Sequence, residues 1–279
     1  MNAMHRTRAA ALALLCAQGA AVAAVAPEAA QALAKQSGLW AQLDSLGAQV
    51  TAGIAAAAAN KPGRLSEAQA GKLSECVQAA YAADRLRATA VDAVAGALQP
   101  ADLAPLAAWY DGAEGRKIAT LEQDSSVQVP DPQERLRRGA EALANASDAR
   151  RLALQAIIVK SRSVEMMADT LIEMAFAVQQ GAASADPAAS GPTPAELKGS
   201  LASKRPQLMA HYAQVSINAY AFTYAALDDD ELRQYADFLG SPSGTAFNDG
   251  QMRGVSRALG AGAVQLGRCV QAVRAMKTS

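Results

Sequence analysis

Apolar positions along the chain recur with helical spacing, and clusters of breakers cut that periodicity into blocks. The first block covers residues 28–59 and stops at Asn60-Lys61-Pro62-Gly63. Ser66-Glu67-Ala68-Gln69 has the form of a capping box, in which serine accepts from the Gln69 backbone and the glutamine side chain reaches back. It opens a helix predicted to reach Leu98, before Gln99-Pro100. A short helix over 101–110, a turn at Asp111-Gly112 and a helix over 113–123 follow. Asp131 as cap, Pro132 at the first helical position and Glu134 mark the next start. Asn145 or Ser147 opens a helix whose apolar run, 152–178, is interrupted by Lys160, Arg162, Glu165, Asp169 and Glu173. About one charge per turn makes it a core helix with a wet stripe and not a membrane span. Residues 182–193, rich in Pro, Ala, Ser and Gly, read as a flexible linker. Thr193-Pro194-Ala195-Glu196 caps a helix running to Leu227 with a bend at Pro206. Asp228 to Glu231 caps one ending at Gly240, and Ser241-Pro242 opens the last, which reaches Met276. No segment alternates with period two for long enough to be a strand, so the class is all-α.

The periodicity also repeats at long range. An offset of 129 carries Leu98 onto Leu227, Leu103 onto Leu232, Trp109 onto Phe238, Gly115 onto Gly244 and Ile118 onto Phe247. An offset of 128 carries Leu39, Leu43, Leu46 and Val50 onto Met167, Leu171, Met174 and Val178. The expected architecture is a helical bundle of two duplicated units, 28–125 and 155–262. Residues 126–154 connect them, and 263–279 form the C-terminal helix end. In the second unit Gly240 is expected left-handed, Ser241 caps, Pro242 starts the helix, and Gly244 lets the short helix pack onto backbone. The first unit keeps Gly115 but replaces Ser-Pro with Gly112-Ala113, which leaves Asp111 to cap.

Composition then places the chain. Residues 1–8 carry His5, Arg6 and Arg8 and no acid, and an apolar small-residue run ends in Ala21-Val22-Ala23. That is the form of a secretory signal peptide, 1–23, which implies export to the periplasm. Cys16 follows Leu15, where a lipidation site needs a small residue. Removing Arg6 and Arg8 from 26 basic residues leaves 24 against 26 acidic ones, a net charge of −2 with no basic run. This disfavours nucleic acid as a partner, and no remaining segment reads as a transmembrane span. Cys76 and Cys269 remain in an oxidising compartment, where a bond between them closes 269 − 76 = 193 residues. A disulfide and two buried thiols are both compatible with the sequence.

Leu232 to Phe247, with its aromatic residues followed by Ser-Pro-x-Gly, resembles the hallmark of a bacterial exported family catalogued as domain of unknown function 2059. Trp109 to Ile118 resembles the same motif without Ser-Pro. The resemblance implies a helical envelope protein and carries over no functional residue.

Recognisable chemistry is sparse. His211 is the only histidine after residue 23 and has no companion at metal-ligand spacing. Gly240-Ser241-Pro242-Ser243-Gly244 has proline where a nucleophile elbow needs serine. The acids of Asp228-Asp229-Asp230 suit a helix N-terminus. No catalytic residue, metal ligand or cofactor is assigned. The long helix of unit two carries aromatics that unit one lacks, and Tyr220 and Tyr224, one turn apart, are candidates to line a groove. Two function classes stay open. One is a non-catalytic envelope binding or structural module, with envelope proteins or peptides as partners, or a carrier of a small apolar ligand. The other is a periplasmic hydrolase or transferase whose carboxylates and serines meet only in the fold.

Overall fold

The computed structural model describes residues 24–59, 66–186 and 192–276, without the side chains of 55–59 and 126. The signal peptide expected at 1–23, the stop at 60–63 and the middle of the linker (187–191) lie outside the described residues. The described residues form thirteen α-helices and one 3-10 turn, and no strand. The first half contains α1 (Pro27–Gln36), α2 (Leu39–Ala59), α3 (Glu67–Ala80), α4 (Ala83–Ala95), the 3-10 turn (Pro100–Asp102), α5 (Leu103–Asp111) and α6 (Ala113–Gln128). A connecting helix α7 (Pro132–Ala144) leads to α8 (Asp148–Ser161), α9 (Ser163–Ala185), α10 (Pro194–Ala202), α11 (Arg205–Thr223), α12 (Asp229–Gly240) and α13 (Pro242–Ala275).

The caps read from sequence start the helices. Ser66 and Gln69 form their box, Thr193 pairs with Glu196 and Asp228 with Glu231. Asp131, Ser147 and Ser241 accept from the first-turn N–H groups of α7, α8 and α13. Elbows inside the long apolar blocks are where the fold departs from the pattern. Residues 28–59 are two helices, because Gly38 takes φ +80° between them. The helix expected from 66 to 98 breaks at Tyr81, whose buried ring wedges against Gly262 of α13. The run over 152–178 breaks at Arg162, a non-glycine residue at φ 54°, a conformation that costs about 1–2 kcal/mol. The Asn248 amide of α13 donates to the Ser161 carbonyl freed there (2.8 Å), and Asp249 pairs with Arg162. Residues 182–185, expected in a linker, continue α9. The bend expected at Pro206 is a break at 203–204 that leaves proline near the start of α11.

α13 is the spine. It packs against α3 and α4 on one side and α9 on the other, and glycines set how closely. A Cβ on Gly254 would lie 2.7 Å from the Ala90 Cα, and one on Gly250 would lie 2.9 Å from the Ala97 Cβ. A Cβ on Gly267 would strike the Val178 carbonyl, and one on Gly181 the Val264 carbonyl, so α9 and α13 cross backbone to backbone. Two cores flank this spine. The first gathers α1–α5 around Leu43, Tyr81, Leu86 and Leu106, and takes Phe247 from α13. The second gathers α8, α11 and α12 around Leu154, Ile157 and Leu232, and takes Ile118 from α6. Each half thus places a residue of its last helix in the other half's core.

The two turns before those last helices have one geometry. Gly112 (φ −71°, ψ 163°) and Ser241 (φ −70°, ψ 155°) each donate their N–H 3.0 Å to the aromatic residue three back, Trp109 and Phe238. Gly240 stays helical, and only Gly38 among the described glycines has positive φ, so the left-handed stop expected at 240 is replaced by an extended Ser241. No side chain caps α6, and Asp111 accepts instead from Gln36 of α1. A Cβ on Gly115 or Gly244 would strike the carbonyl of Trp109 or Phe238. Gly244→Val is therefore expected to destabilise by about 3 kcal/mol or more, read as a lowered Tm. Gly260→Ala, on the same helix with open space around it, should gain about 1 kcal/mol. Equal effects of the two would contradict this packing.

Cys76 of α3 and Cys269 of α13 form a disulfide, with Cα atoms 6.2 Å apart. Beside it, Gln69 closes the end of the spine. Its Oε1 accepts from the Ser66 N–H (3.0 Å) while its amide donates to the Val273 (3.2 Å) and Met276 (3.4 Å) carbonyls. These are carbonyls that a helix C-terminus leaves without partners. Mass spectrometry of the unreduced protein should find no free thiol at either cysteine. Reduction should lower Tm by roughly 10 °C, since the bond closes a loop of 193 residues.

Candidate functional site

The chain has two Trp, six Tyr and four Phe, and most of these meet at the junction of the two cores. Trp109 and Phe238, paired by the sequence offset, stack on each other at 4.3 Å with planes 4° apart. Tyr110 meets Phe238 and Phe247 edge-on at 5.9 and 5.6 Å. On the other side Tyr235 lies over Trp109, Tyr224 abuts Tyr235 at 5.6 Å, and Tyr220 abuts Tyr224 at 5.4 Å. Edge-to-face and stacked pairs of this kind each add about 0.5–1.5 kcal/mol beyond area burial.

Glu122 sits in the middle of this aromatic row. It projects from α6, and its Oε1 accepts from the hydroxyl of Tyr224, the residue that ends α11 (2.6 Å), and from the Tyr235 hydroxyl of α12 (2.8 Å). Tyr224 is fixed because Arg150 of α8 donates to its carbonyl and to that of Leu227, each at 2.8 Å. Burial pushes the Glu122 carboxyl above its usual value; the two tyrosine hydroxyls pull it down, with the smaller effect. Tyr110, Tyr224 and Tyr235 are in turn held well above the ordinary phenol range, first by burial and then by the neighbouring Glu122 charge.

Two openings reach Glu122. A small cavity of about 80 Å³ is lined by Tyr110, Tyr235, Phe238, Ser37, Asn248 and Gln251. A groove of about 340 Å³ runs between α2 and α6, floored by Val255, with Leu39, Leu46, Gln49 and Val127 along it. Leu39, Gln42, Glu122 and Val255 border both. A larger depression of about 520 Å³ lies between α9, α10 and the end of α13. Two of its polar side chains, Arg268 and Gln271, are already bonded to Ser184 and Asp186. The Glu122 site, where a carboxylate oxygen stays open, is the stronger candidate.

The residues singled out from sequence fall around this site without forming it. Trp109 and Phe238 build its aromatic wall, and Gly115 and Gly244 let that wall sit on the turns. The Ser241 hydroxyl is committed to the cap, accepting from Gly244 and donating to the Phe238 carbonyl at 2.7 Å. Pro242 begins α13. Tyr220 and Tyr224 line neither opening: Tyr224 is buried, Tyr220 packs on the second core, and the Tyr224 hydroxyl turns inward to Glu122. His211 is exposed beside Tyr212. Among the described residues no group of three His, Cys, Asp or Glu could hold a metal. Glu122 and the groove were missed because Glu122 reads as one more polar residue on a wet face. One signal was present: the offset of 129 carries Glu122 onto Gln251, and both line the small cavity.

Comparison of the chain with protein-family models, curated proteins and solved structures finds no match.

A raised carboxyl pKa has a definite consequence for stability. Below the usual carboxyl value of 4.5 Glu122 is protonated whether folded or not. As pH rises past that value the folded state keeps its proton longer, so this residue's contribution is lost through the folded pKa. Glu122→Gln removes that loss and can still accept from the tyrosines. Its Tm should exceed the parent's by a margin that widens from pH 4 to pH 8. A constant margin, or one that narrows with pH, would refute the assignment.

Proposed function

We propose that the protein is a non-catalytic binding module exported to the bacterial envelope, made of two divergent copies of one helical unit. The resemblance at Leu232 to Phe247 supports kinship with the exported family catalogued as domain of unknown function 2059. Duplication is supported by the matched turns at Gly112 and Ser241, and by Asp102 and Glu231 each accepting at 2.8 Å from the backbone N–H three residues back, Gln99 and Asp228. Asp102 and Glu231, aligned by the offset of 129, each accept from the helix that follows the opposite turn, Asp102 from Ser243 (2.7 Å) and Glu231 from Lys117 (2.5 and 2.7 Å). The left-handed elbows Gly38 and Arg162 lie 162 − 38 = 124 residues apart. That is one helical turn less than the offset of 128, and a slip of one turn keeps nearly the same face inward. Export is favoured by the leader-like first 23 residues and by the disulfide. Among the described residues no helix is long and apolar enough to cross a membrane.

The observation that carries the binding reading is the open groove between α2 and α6 that ends on Glu122. A residue serving stability alone has no need of a carboxylate there, and such local conflicts concentrate at functional sites. Its apolar walls and polar inner end fit a small amphiphile or a peptide side chain. Native mass spectrometry of protein released gently from cells should show a small-molecule or peptide adduct that organic solvent removes. Gln49→Arg, at an exposed position along the groove, sets a charged chain across it and should abolish the adduct with Tm unchanged. Absence of any adduct on the parent protein, or its persistence in the variant, would count against this function.

A further inference from the structure

We propose that the inner end of this groove is an ammonium site: Glu122 Oε2, beside the Tyr110 hydroxyl, receives the cationic head of an alkylamine whose apolar body lies along Leu39, Leu46 and Val127. The inference rests on the groove being a binding site and adds the chemical class of the ligand.

The carboxylate itself is half used. Both tyrosine hydroxyls converge on Oε1, and Oε2 has no hydrogen bond or ion pair among the described residues. Nor is Oε2 sealed in, since Glu122 is only partly buried and borders both openings. The Tyr110 hydroxyl, on the wall of the same cavity, likewise has no hydrogen bond among the described residues. None of the residues lining the two openings is Lys, Arg or His. The negative charge therefore has no protein counter-ion, and an anionic ligand would be repelled. A dehydrated metal ion is poorly served, because hard cations take six to eight oxygen ligands, commonly from several carboxylates, and Glu122 is the only acid lining either opening.

An ammonium group meets each of these conditions. Its N–H groups give charge-assisted bonds to Oε2, the strong class of hydrogen bond, and its charge offsets the desolvation that burial imposes on the carboxylate. The Tyr110 and Gln251 oxygens, on the wall of the same cavity, offer further acceptors. A cavity of about 80 Å³ suits an amine head with a few carbons, and the adjoining groove of about 340 Å³ takes a longer chain.

Titration calorimetry of the purified protein at neutral pH with n-octylammonium, 1-octanol and octanoate tests this. Octylammonium is expected to bind about tenfold or more tighter than octanol, the worth of one charge-assisted hydrogen bond, and octanoate not at all. Glu122→Gln should bring octylammonium to the level of octanol and leave octanol unchanged. Tyr110→Phe, which keeps the ring, should weaken octylammonium alone, by about threefold to tenfold. Octylammonium and octanol binding alike, with neither variant changing either, would overturn the ammonium site and leave the groove standing. If none of the three probes binds the parent protein, the groove reading and this inference fail together.

Discussion

The close approach of α13 to its neighbours is the constraint on which the rest depends. A helix of this length touches α3, α4 and α9 at once only because glycine replaces a side chain at each crossing. Gly250 and Gly254 admit α4, Gly262 admits the Tyr81 ring, and Gly267 meets α9 at a point where α9 supplies its own glycine, Gly181. Dispersion contacts are individually small, and they accumulate when backbones come this near. The disulfide and Gln69 then tie the far end of the spine to α3, so the approach cannot relax by fraying.

From that constraint follows the exchange between halves. With α13 committed to the first core, Phe247 is removed from its own half, and Ile118 of α6 fills the corresponding place in the second core. Phe238 packs on both cores, and its stack with Trp109 is the hinge point between them. Glu122 is held at this junction because α6 must cross to the second half to deliver Ile118, one turn away. A carboxylate at such a place weakens folding once it ionises, because burial raises its pKa.

Much of this is legible in the sequence. The caps at Ser66, Asp131, Ser147, Thr193, Asp228 and Ser241 are local events, in which a side chain meets a backbone group two or three residues on. The helical class needs only the period of apolar residues. Elbows at Gly38, Tyr81 and Arg162 were not legible, since each bend depends on contacts distant in sequence, such as Asn248 catching the Ser161 carbonyl. Whether the Tyr220 and Tyr224 faces pack in a core or line a groove was open in the sequence for a related reason. Helical spacing tells which residues share a face, while what covers that face is decided by other helices.

By itself the sequence determined an all-helical chain, the starts of most helices, and the alignment of Trp109 with Phe238 and of Gly115 with Gly244. Only the tertiary structure decided that the aligned aromatics touch each other, that the last helices trade cores, and that Glu122 ends a groove with one oxygen free. The division has a physical cause. Capping and periodicity act over one or two turns and are written in neighbouring residues, whereas an unpaired carboxylate is defined by which groups from α5, α11, α12 and α13 come near it. No segment of the chain contains that information alone.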